Sequence, residues 1–171
     1  MKILITGNVA SGKTTLSKLL SEYYEIKRFE IDEIVHDIEN NDIKRSLKEQ
    51  TKIINKINKE NKNYIIEGVL RKDLDFIINL VDQIIYLDIN KKVISKRIKK
   101  RYIKQKLKLE KSSYKPSKEM LENMYKWNND FNSKEFLKRI NKYPKKLIII
   151  KNKKELKKYL ESIYKNGNYI E

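Results

Sequence analysis

Two glycines, a lysine and a threonine near the N-terminus have the spacing of a phosphate-binding loop. Residues 7–14 read Gly-Asn-Val-Ala-Ser-Gly-Lys-Thr and match G-x-x-x-x-G-K-[ST] at every fixed position. Gly7 and Gly12 let backbone N–H groups converge on phosphate oxygens, because no side chain blocks the approach. Lys13 can neutralise the β- and γ-phosphates while the Thr14 hydroxyl joins a magnesium shell. We therefore predict that ATP with Mg²⁺ contacts the following residues: Gly7, Asn8, Val9, Ala10, Ser11, Gly12, Lys13, Thr14 and Thr15.

Magnesium needs a second protein oxygen, usually a carboxylate that follows an apolar strand. Glu67 ends the run Tyr-Ile-Ile-Glu, and Gly68 after it leaves room for a ligand. Asp88 ends the run Ile-Ile-Tyr-Leu-Asp further along the chain. Both carboxylates fit the pattern. We favour Glu67 as the metal ligand and expect Gly68 to face the substrate.

Asp32 is the candidate for the group that accepts a proton from the acceptor or orients it. Glu30 and Asp32 alternate along a predicted strand, which places both carboxylates on one face. Asp32 lies at the end of that strand, where acceptor substrates approach. Aspartate is also a favoured N-cap, so the alternative is that Asp32 caps the next helix. The sequence leaves both interpretations open.

Three arginines are candidates for contacts with phosphate groups. Arg97 and Arg101 are one helical turn apart, so one helix face can bring both to the charge on a transferring phosphoryl group. Arg71, just after Gly68, can clamp an anionic acceptor. Many lysines surround Arg97 and Arg101, and chance placement is therefore the alternative to a catalytic role.

The elements that must position these residues follow from hydrophobic periodicity. Short apolar runs predict strands at residues 2–6, 26–31, 64–67, 83–88 and 147–150. Apolar residues at helical spacing predict a helix after the loop, a long helix with Ile43, Leu47, Ile54 and Ile57 on one face, a short helix at 73–80 and a basic helix from Lys91. This alternation implies a mostly parallel sheet covered on both faces, with the site at the carboxyl ends of the strands.

The region before the last strand differs from the rest. Residues 104–116 lack a clean period, which we interpret as a mobile segment in their later part, with a helix resuming after Ser117. We take residues 102–142 as a helical lid inserted into a single domain that spans residues 1–171. After the last strand, Asn152 and Glu155 can cap a final helix that carries Leu156, Leu160 and Ile163.

Composition narrows the class of protein. A chain of 171 residues supports one globular domain, and the absence of cysteine excludes disulfides and thiolate metal sites, which favours the cytoplasm. No leader or apolar run near 18 residues is present, so we expect neither export nor a membrane partner. The net charge of +17 makes nucleic acid a candidate partner, although lysine use is heavy along the whole chain and dispersed lysines usually form a solvated surface.

The motifs, in their order, resemble those of small adenylate-kinase-like P-loop kinases. The resemblance rests on the loop, on Ile-Asp-Glu at 31–33, on Ile-Ile-Glu-Gly at 65–68, and on Tyr-Leu-Asp at 86–88 followed by Arg97 and Arg101. More narrowly, residues 64–71, 101–106, 114–117 and 124–127 resemble the group labelled DNA topology modulation proteins. The resemblance implies an α/β, three-layer P-loop NTPase fold of the nucleotide-kinase type, with a five-stranded parallel sheet of order 2-3-1-4-5, a helical lid, and ATP with Mg²⁺ as donor.

Related kinases differ from this chain on the acceptor side. The loop is also similar to that of dephospho-coenzyme A kinases, but the middle of the chain lacks their arginine-containing acceptor pattern. Adenylate kinases carry Gly-Phe-Pro-Arg after the third strand, where this chain has Gly68-Val-Leu-Arg71, so AMP is not indicated as acceptor. We expect a phosphotransferase that acts on a small-molecule acceptor such as a nucleoside, a nucleotide or a similar metabolite. The alternatives are an ATP-dependent nucleic-acid-binding protein related to DNA topology, or a nucleotide-binding switch with weak ATPase activity.

Overall fold

A computed structural model of the chain describes residues 1–37, 40, 42–109 and 116–167. Its strands are β1 (Lys2–Gly7), β2 (Lys27–Glu30), β3 (His36–Asp37), β4 (Ile43–Lys44), β5 (Tyr64–Gly68), β6 (Gln83–Leu87) and β7 (Leu147–Ile150). Its α-helices are α1 (Lys13–Tyr24), α2 (Ile31–Val35), α3 (Leu47–Glu60), α4 (Ile77–Leu80), α5 (Lys91–Lys106), α6 (Lys118–Asp130), α7 (Ser133–Ile140) and α8 (Lys153–Gly167). None of these helices combines the length and apolar content needed to cross a membrane.

Five of the described strands form one parallel sheet in the order β2-β5-β1-β6-β7. Counted in chain order among themselves, these strands have the expected order 2-3-1-4-5. The register places Glu30 beside Glu67, Thr6 beside Gly68 and Gly7 beside Leu87. The carboxyl ends of the strands therefore meet at one edge, as the alternation of strands and helices predicted.

The core lies on both faces of this sheet because neighbouring strand residues point to opposite sides. On β1, Leu4 packs into a cluster with α3, α4 and α7, whereas Ile3 and Ile5 pack into a second cluster with α1 and α8. All three side chains are fully buried. The result is the three-layer α/β arrangement that was expected from the sequence.

Three predicted boundaries were wrong in detail. Ile43 does not share a helix face with Ile54, because it lies in the short strand β4, which pairs antiparallel with β3, and its side chain is exposed. Strand β2 ends at Glu30, so Asp32 lies in α2 instead of alternating with Glu30 along a strand. The predicted helix at 73–80 is split into a 3₁₀ turn, Lys72–Leu74, and the short helix α4.

The helix predicted to resume after Ser117 is confirmed. Helix α6 begins at Lys118, and Ser117 Oγ accepts from the Met120 N–H at 3.1 Å. The segment expected to be mobile includes residues 110–115, which lie outside the described residues. The predicted cap of α8 is present, since Asn152 Oδ1 accepts from the Glu155 N–H at 3.0 Å.

Candidate active site

The glycine-rich loop connects β1 to α1 through three residues in the left-handed region of backbone space. Gly7 has φ 151°, Ala10 has φ 51° and Gly12 has φ 107°. A Cβ at Gly7 would lie 2.7 Å from the Leu87 carbonyl oxygen, so this position also needs glycine for space. Ala10 has no such freedom, and other parts of the protein must stabilise its conformation.

The ammonium group of Lys13 lies at this loop. Its Nζ donates to the Asn8 carbonyl at 2.9 Å. Burial lowers the pKa of Lys13, the negative charges of Glu67 and Asp32 oppose that shift, and the positive charge of Arg101 adds to it. These charges act on Lys13 from β5, α2 and α5, so three elements bring charged groups around one lysine.

Glu67 is buried at the carboxyl end of β5, with 3% of its surface exposed. Arg28 Nη1 lies 3.4 Å from Glu67 Oε1. Burial raises the pKa of Glu67, while the nearby Thr14 hydroxyl and the charges of Lys13 and Arg28 act against the rise. The structure thus places the two predicted magnesium ligands, Thr14 and Glu67, near one another.

Asp88, the alternative magnesium ligand, has hydrogen-bond partners outside the phosphate loop. Its Oδ1 accepts from the Tyr86 hydroxyl at 3.1 Å, and its backbone N–H donates to the Ile150 carbonyl. Within the described residues, no three His, Cys, Asp or Glu side chains are grouped so as to hold a metal ion. Magnesium in nucleotide sites needs only one or two carboxylates because phosphates and waters supply the other ligands, so a Thr14–Glu67 pair fits its coordination.

Asp32 is the second residue of α2 and does not cap it. Glu30 occupies the N-cap position, without a side-chain cap hydrogen bond. The Asp32 side chain is exposed, and its Oδ1 lies 3.8 Å from Arg71 Nη2. The negative charge of Asp32 nevertheless acts to raise the pKa of Lys13. Asp32 and Arg71 therefore stand together beside the phosphate loop on its β5 side.

Arg97, on α5, contacts the loop directly, and Arg101, one turn later, lies close enough to affect the charge of Lys13. Arg97 Nη1 donates to the Ser11 carbonyl at 2.6 Å and lies 3.4 Å from the Ala10 carbonyl. Through these bonds Arg97 holds the segment that contains the left-handed Ala10. Arg101, one turn later, is partly buried and contributes to the electrostatic environment of Lys13.

Two contributors to the site were missed by sequence reasoning. Arg28 pairs with Glu30 at 2.6 Å and reaches Glu67; its position two residues before Glu30 on the same strand face was a usable signal. Asn128, on α6, hydrogen-bonds the side chain of Asn8 at 2.8 Å. No spacing rule connects residues that lie 120 positions apart.

A cavity of about 300 Å³ adjoins the site at Arg71. The lining residues are Lys44, Arg45, Ser46, Leu47, Gln50, Arg71, Asp73 and Leu74. The guanidinium of Arg45 is occupied by protein groups, donating to the carbonyls of Glu33 at 2.7 Å and His36 at 2.6 Å. Arg71 has one described ion pair, the long contact with Asp32, which leaves its guanidinium more free to meet a ligand.

Comparison with known proteins identifies the family to which the chain belongs. A family model described as an AAA domain matches residues 3–118, more than half of its length. The chain belongs to the AAA domain family. A search of curated proteins found no match.

Solved structures share the fold of this AAA-domain protein. Deoxyadenosine kinase from M. mycoides with bound dATP is 21% identical, with 98% of this chain and 100% of that chain covered and a TM-score of 0.53. Shikimate kinase from Aquifex aeolicus is 18% identical, with 99% of each chain covered and a TM-score of 0.53. Shikimate kinase from Bacteroides thetaiotaomicron is 14% identical, with 98% of each chain covered and a TM-score of 0.52. The α/β fold of nucleotide kinases is thereby confirmed.

Proposed function

We propose that this protein transfers the γ-phosphoryl group of Mg·ATP to a small-molecule acceptor. The observation that carries the proposal is the grouping of Glu67, Asp32 and Arg101, from three different elements, around Lys13 of the phosphate loop. Phosphoryl transfer needs little covalent chemistry from the protein, so the positions of charges supply most of the catalysis. Comparison supports the fold, and the chemistry rests on these side chains.

The donor side is assigned to the loop. Backbone N–H groups of residues 7–15 would bind the phosphates, and Lys13 would exchange the Asn8 carbonyl for phosphate oxygens. Thr14 and Glu67 would hold Mg²⁺, which would neutralise charge as the phosphoryl group moves. Arg97 and Arg101 would stabilise that charge from α5.

The acceptor side is assigned to the Arg71 cavity. Asp32 would orient the acceptor hydroxyl and take up its proton as the new bond to phosphorus forms and ADP leaves. Arg71 would bind an anionic group on the acceptor. Gly68, expected to face the substrate, is instead buried against the protein, because a Cβ at this position would lie 2.6 Å from Ile31 Cβ. Nucleosides, nucleoside monophosphates and shikimate are the acceptor classes to test, because the similar folds are named deoxyadenosine kinase and shikimate kinase.

The experiment is a coupled ADP-release assay with Mg·ATP and a panel of acceptors. The panel holds nucleosides, nucleoside monophosphates, shikimate, gluconate and dephospho-coenzyme A. Lys13→Ala is the blank, and Lys18→Ala, an exposed lysine on the same helix, is the matched control. We expect one acceptor to stimulate ADP release in the wild type and in Lys18→Ala, and no stimulation in Lys13→Ala with an unchanged circular dichroism spectrum. Stimulation that survives in Lys13→Ala would contradict the assignment.

A second candidate function, binding of nucleic acid with ATP as a switch, is favoured by one feature of α5. This helix carries seven lysines and two arginines but no acidic residue. The other lysine-rich helices mix both signs, and each has an i,i+4 pair, Lys56–Glu60 on α3 and Lys157–Glu161 on α8. Among the described ion pairs none uses a lysine of α5. The resemblance to DNA topology modulation proteins belongs with this second proposal.

Salt dependence tests the second candidate. Replacing Lys96, Lys100 and Lys104 by Gln removes three charges from the exposed face of α5, and replacing Lys48, Lys52 and Lys56 by Gln removes three from α3. If duplex DNA binds α5, the first variant lowers the slope of log affinity against log salt by about 3 and the second leaves it unchanged. Equal slopes in both variants, or no binding at low salt, would exclude this function.

Two further expectations belong to the proposal. We place the whole chain, residues 1–171, in a single domain with residues 102–142 as its lid. We also expect the cytoplasm as the compartment, since the chain contains no cysteine.

A further inference from the structure

The side chain of Asn128 lies at the junction of three elements. Asn128 is fully buried on α6. Its Nδ2 donates to the Lys91 carbonyl at 3.1 Å and to Ser95 Oγ at 3.0 Å, both on α5. Its Oδ1 accepts from Asn8 Nδ2 at 2.8 Å, on the phosphate loop. Every hydrogen-bonding atom of this amide therefore has a protein partner, and the partners fix its orientation.

The side chain of Asn8 is directed by this contact. Asn8 is buried, its Oδ1 accepts from the Val9 N–H at 2.7 Å, and its Nδ2 points to Asn128. Its own carbonyl accepts from Lys13 Nζ at 2.9 Å. We predicted that Asn8 would line the nucleotide site, but its side chain points into the protein. It thereby fixes the position of the Asn8 carbonyl, which accepts the hydrogen bond from Lys13 Nζ.

The same pair of helices holds the second half of the loop. Arg97, on α5, donates to the Ser11 carbonyl at 2.6 Å. Val9 and Ala10 pack against an apolar cluster of α5 and α6 that contains Ile94, Ile98 and Met124. The loop is therefore supported at Asn8 from α6 and at Ser11 from α5, on either side of the left-handed Ala10.

We propose that Asn128 is a positioning residue for ATP, acting through Asn8 on the conformation of the phosphate loop. The proposal rests on the proposed function of that loop as the ATP site. A buried amide that loses its partner must find another or be rehydrated, and both outcomes shift the backbone whose N–H groups bind phosphate. Asn128 thereby links the affinity for nucleotide to the packing of α6.

The experiment measures Mg·ATP binding by calorimetry, so it does not require a known acceptor. Asn128→Ala removes the 2.8 Å side-chain bond to Asn8 and leaves only the 3.4 Å contact of Asn8 Nδ2 with the Asn128 carbonyl. Asn129→Ala removes an exposed amide from the next position of the same helix. We expect the dissociation constant of Mg·ATP to rise about tenfold in Asn128→Ala and to stay within twofold of the wild type in Asn129→Ala. Thermal unfolding identifies any variant that fails to fold.

Asn8→Ala and the double variant separate positioning from general stability. If Asn128 acts through Asn8, the double variant binds Mg·ATP no more weakly than Asn8→Ala alone. The inference would be overturned if the losses of Mg·ATP affinity from the two substitutions added up in the double variant. It would also be overturned if a folded Asn128→Ala variant bound Mg·ATP as tightly as the wild type. Failure of the wild type to bind Mg·ATP would overturn the proposed function instead.

In the transfer reaction, Asn128→Ala should raise the KM for ATP more than it lowers kcat, which a purely structural role would not produce.

Discussion

At the scale of single residues, the site is a set of charges whose partners lie on other elements. Glu67 is buried beside Thr14, Lys13 and Arg28, and burial of a carboxylate is costly unless such partners surround it. Asp88, which ends the next strand of the sequence, is bound to Tyr86 instead. The two carboxylates looked equivalent in sequence because each follows an apolar strand. The structure distinguishes Glu67 from Asp88 by the residues that surround each carboxylate.

The first prediction concerns these two carboxylates. Glu67→Gln should raise the Mg²⁺ concentration needed for half-maximal ADP release and lower turnover by about 10- to 100-fold, because an amide does not offer the charge that Mg²⁺ prefers. Asp88→Asn is the matched control and should have a small effect. Magnesium titrations of both variants at saturating ATP measure the difference. A larger effect in Asp88→Asn would reverse the assignment of the metal ligand.

At the scale of elements, caps and turns decided boundaries that periodicity alone misplaced. The apolar spacing of Ile43 with Leu47, Ile54 and Ile57 suggested one long helix. Ser46 instead begins α3 with a capping box, in which Ser46 Oγ accepts from the Glu49 N–H at 3.3 Å and the Ser46 N–H donates to Glu49 Oε2 at 2.8 Å. The sequence contains this signal as Ser-Leu-Lys-Glu at 46–49. It would have placed the helix start correctly.

The second prediction tests the boundary with two identical substitutions. Ile54→Ala should lower the free energy of unfolding by about 2 to 5 kcal/mol, because Ile54 is fully buried under the sheet. Ile43→Ala should change it by less than about 0.5 kcal/mol, since Ile43 is 62% exposed. Urea unfolding followed by circular dichroism measures both values. Similar losses in the two variants would place Ile43 in the core after all.

At the scale of the whole molecule, helix α7 is bonded to the loop that follows β5. Arg139, on α7, forms a two-pronged contact with Asp75, and its Nη2 also lies 3.3 Å from the Leu70 carbonyl. Phe136 lies beneath the guanidinium and packs into the core. The loop after β5, which carries Arg71, is therefore fixed by a helix more than 60 residues later in the chain.

The third prediction compares two ion pairs that join α7 to this loop. Arg139→Met should lower the free energy of unfolding by about 1 to 3 kcal/mol, since it leaves Asp75 without its half-buried partner. Lys72 and Glu135 form the exposed pair, at 2.7 Å, so Lys72→Met should cost less than about 1 kcal/mol. Thermal and urea unfolding measure both, at low and high salt. Equal effects would mean that burial and two-pronged geometry contribute nothing here.

The sequence by itself determined the features that depend on neighbouring residues. The phosphate loop is a run of eight positions, the strands are short apolar runs, and Arg97 and Arg101 share a helix face because one turn separates them. These local patterns predicted the elements, and the resemblance they carry predicted the order of the sheet. Both are confirmed.

The tertiary structure decided the features that depend on distant residues. It brought Thr14 to Glu67, Arg28 to Glu67 and Asn8 to Asn128, and it moved Asp32 from a strand to a helix. Hydrogen bonds of this kind act over about 3 Å, whereas their partners lie up to 120 positions apart in the chain. No local pattern encodes such a distance, because it depends on how every intervening element packs.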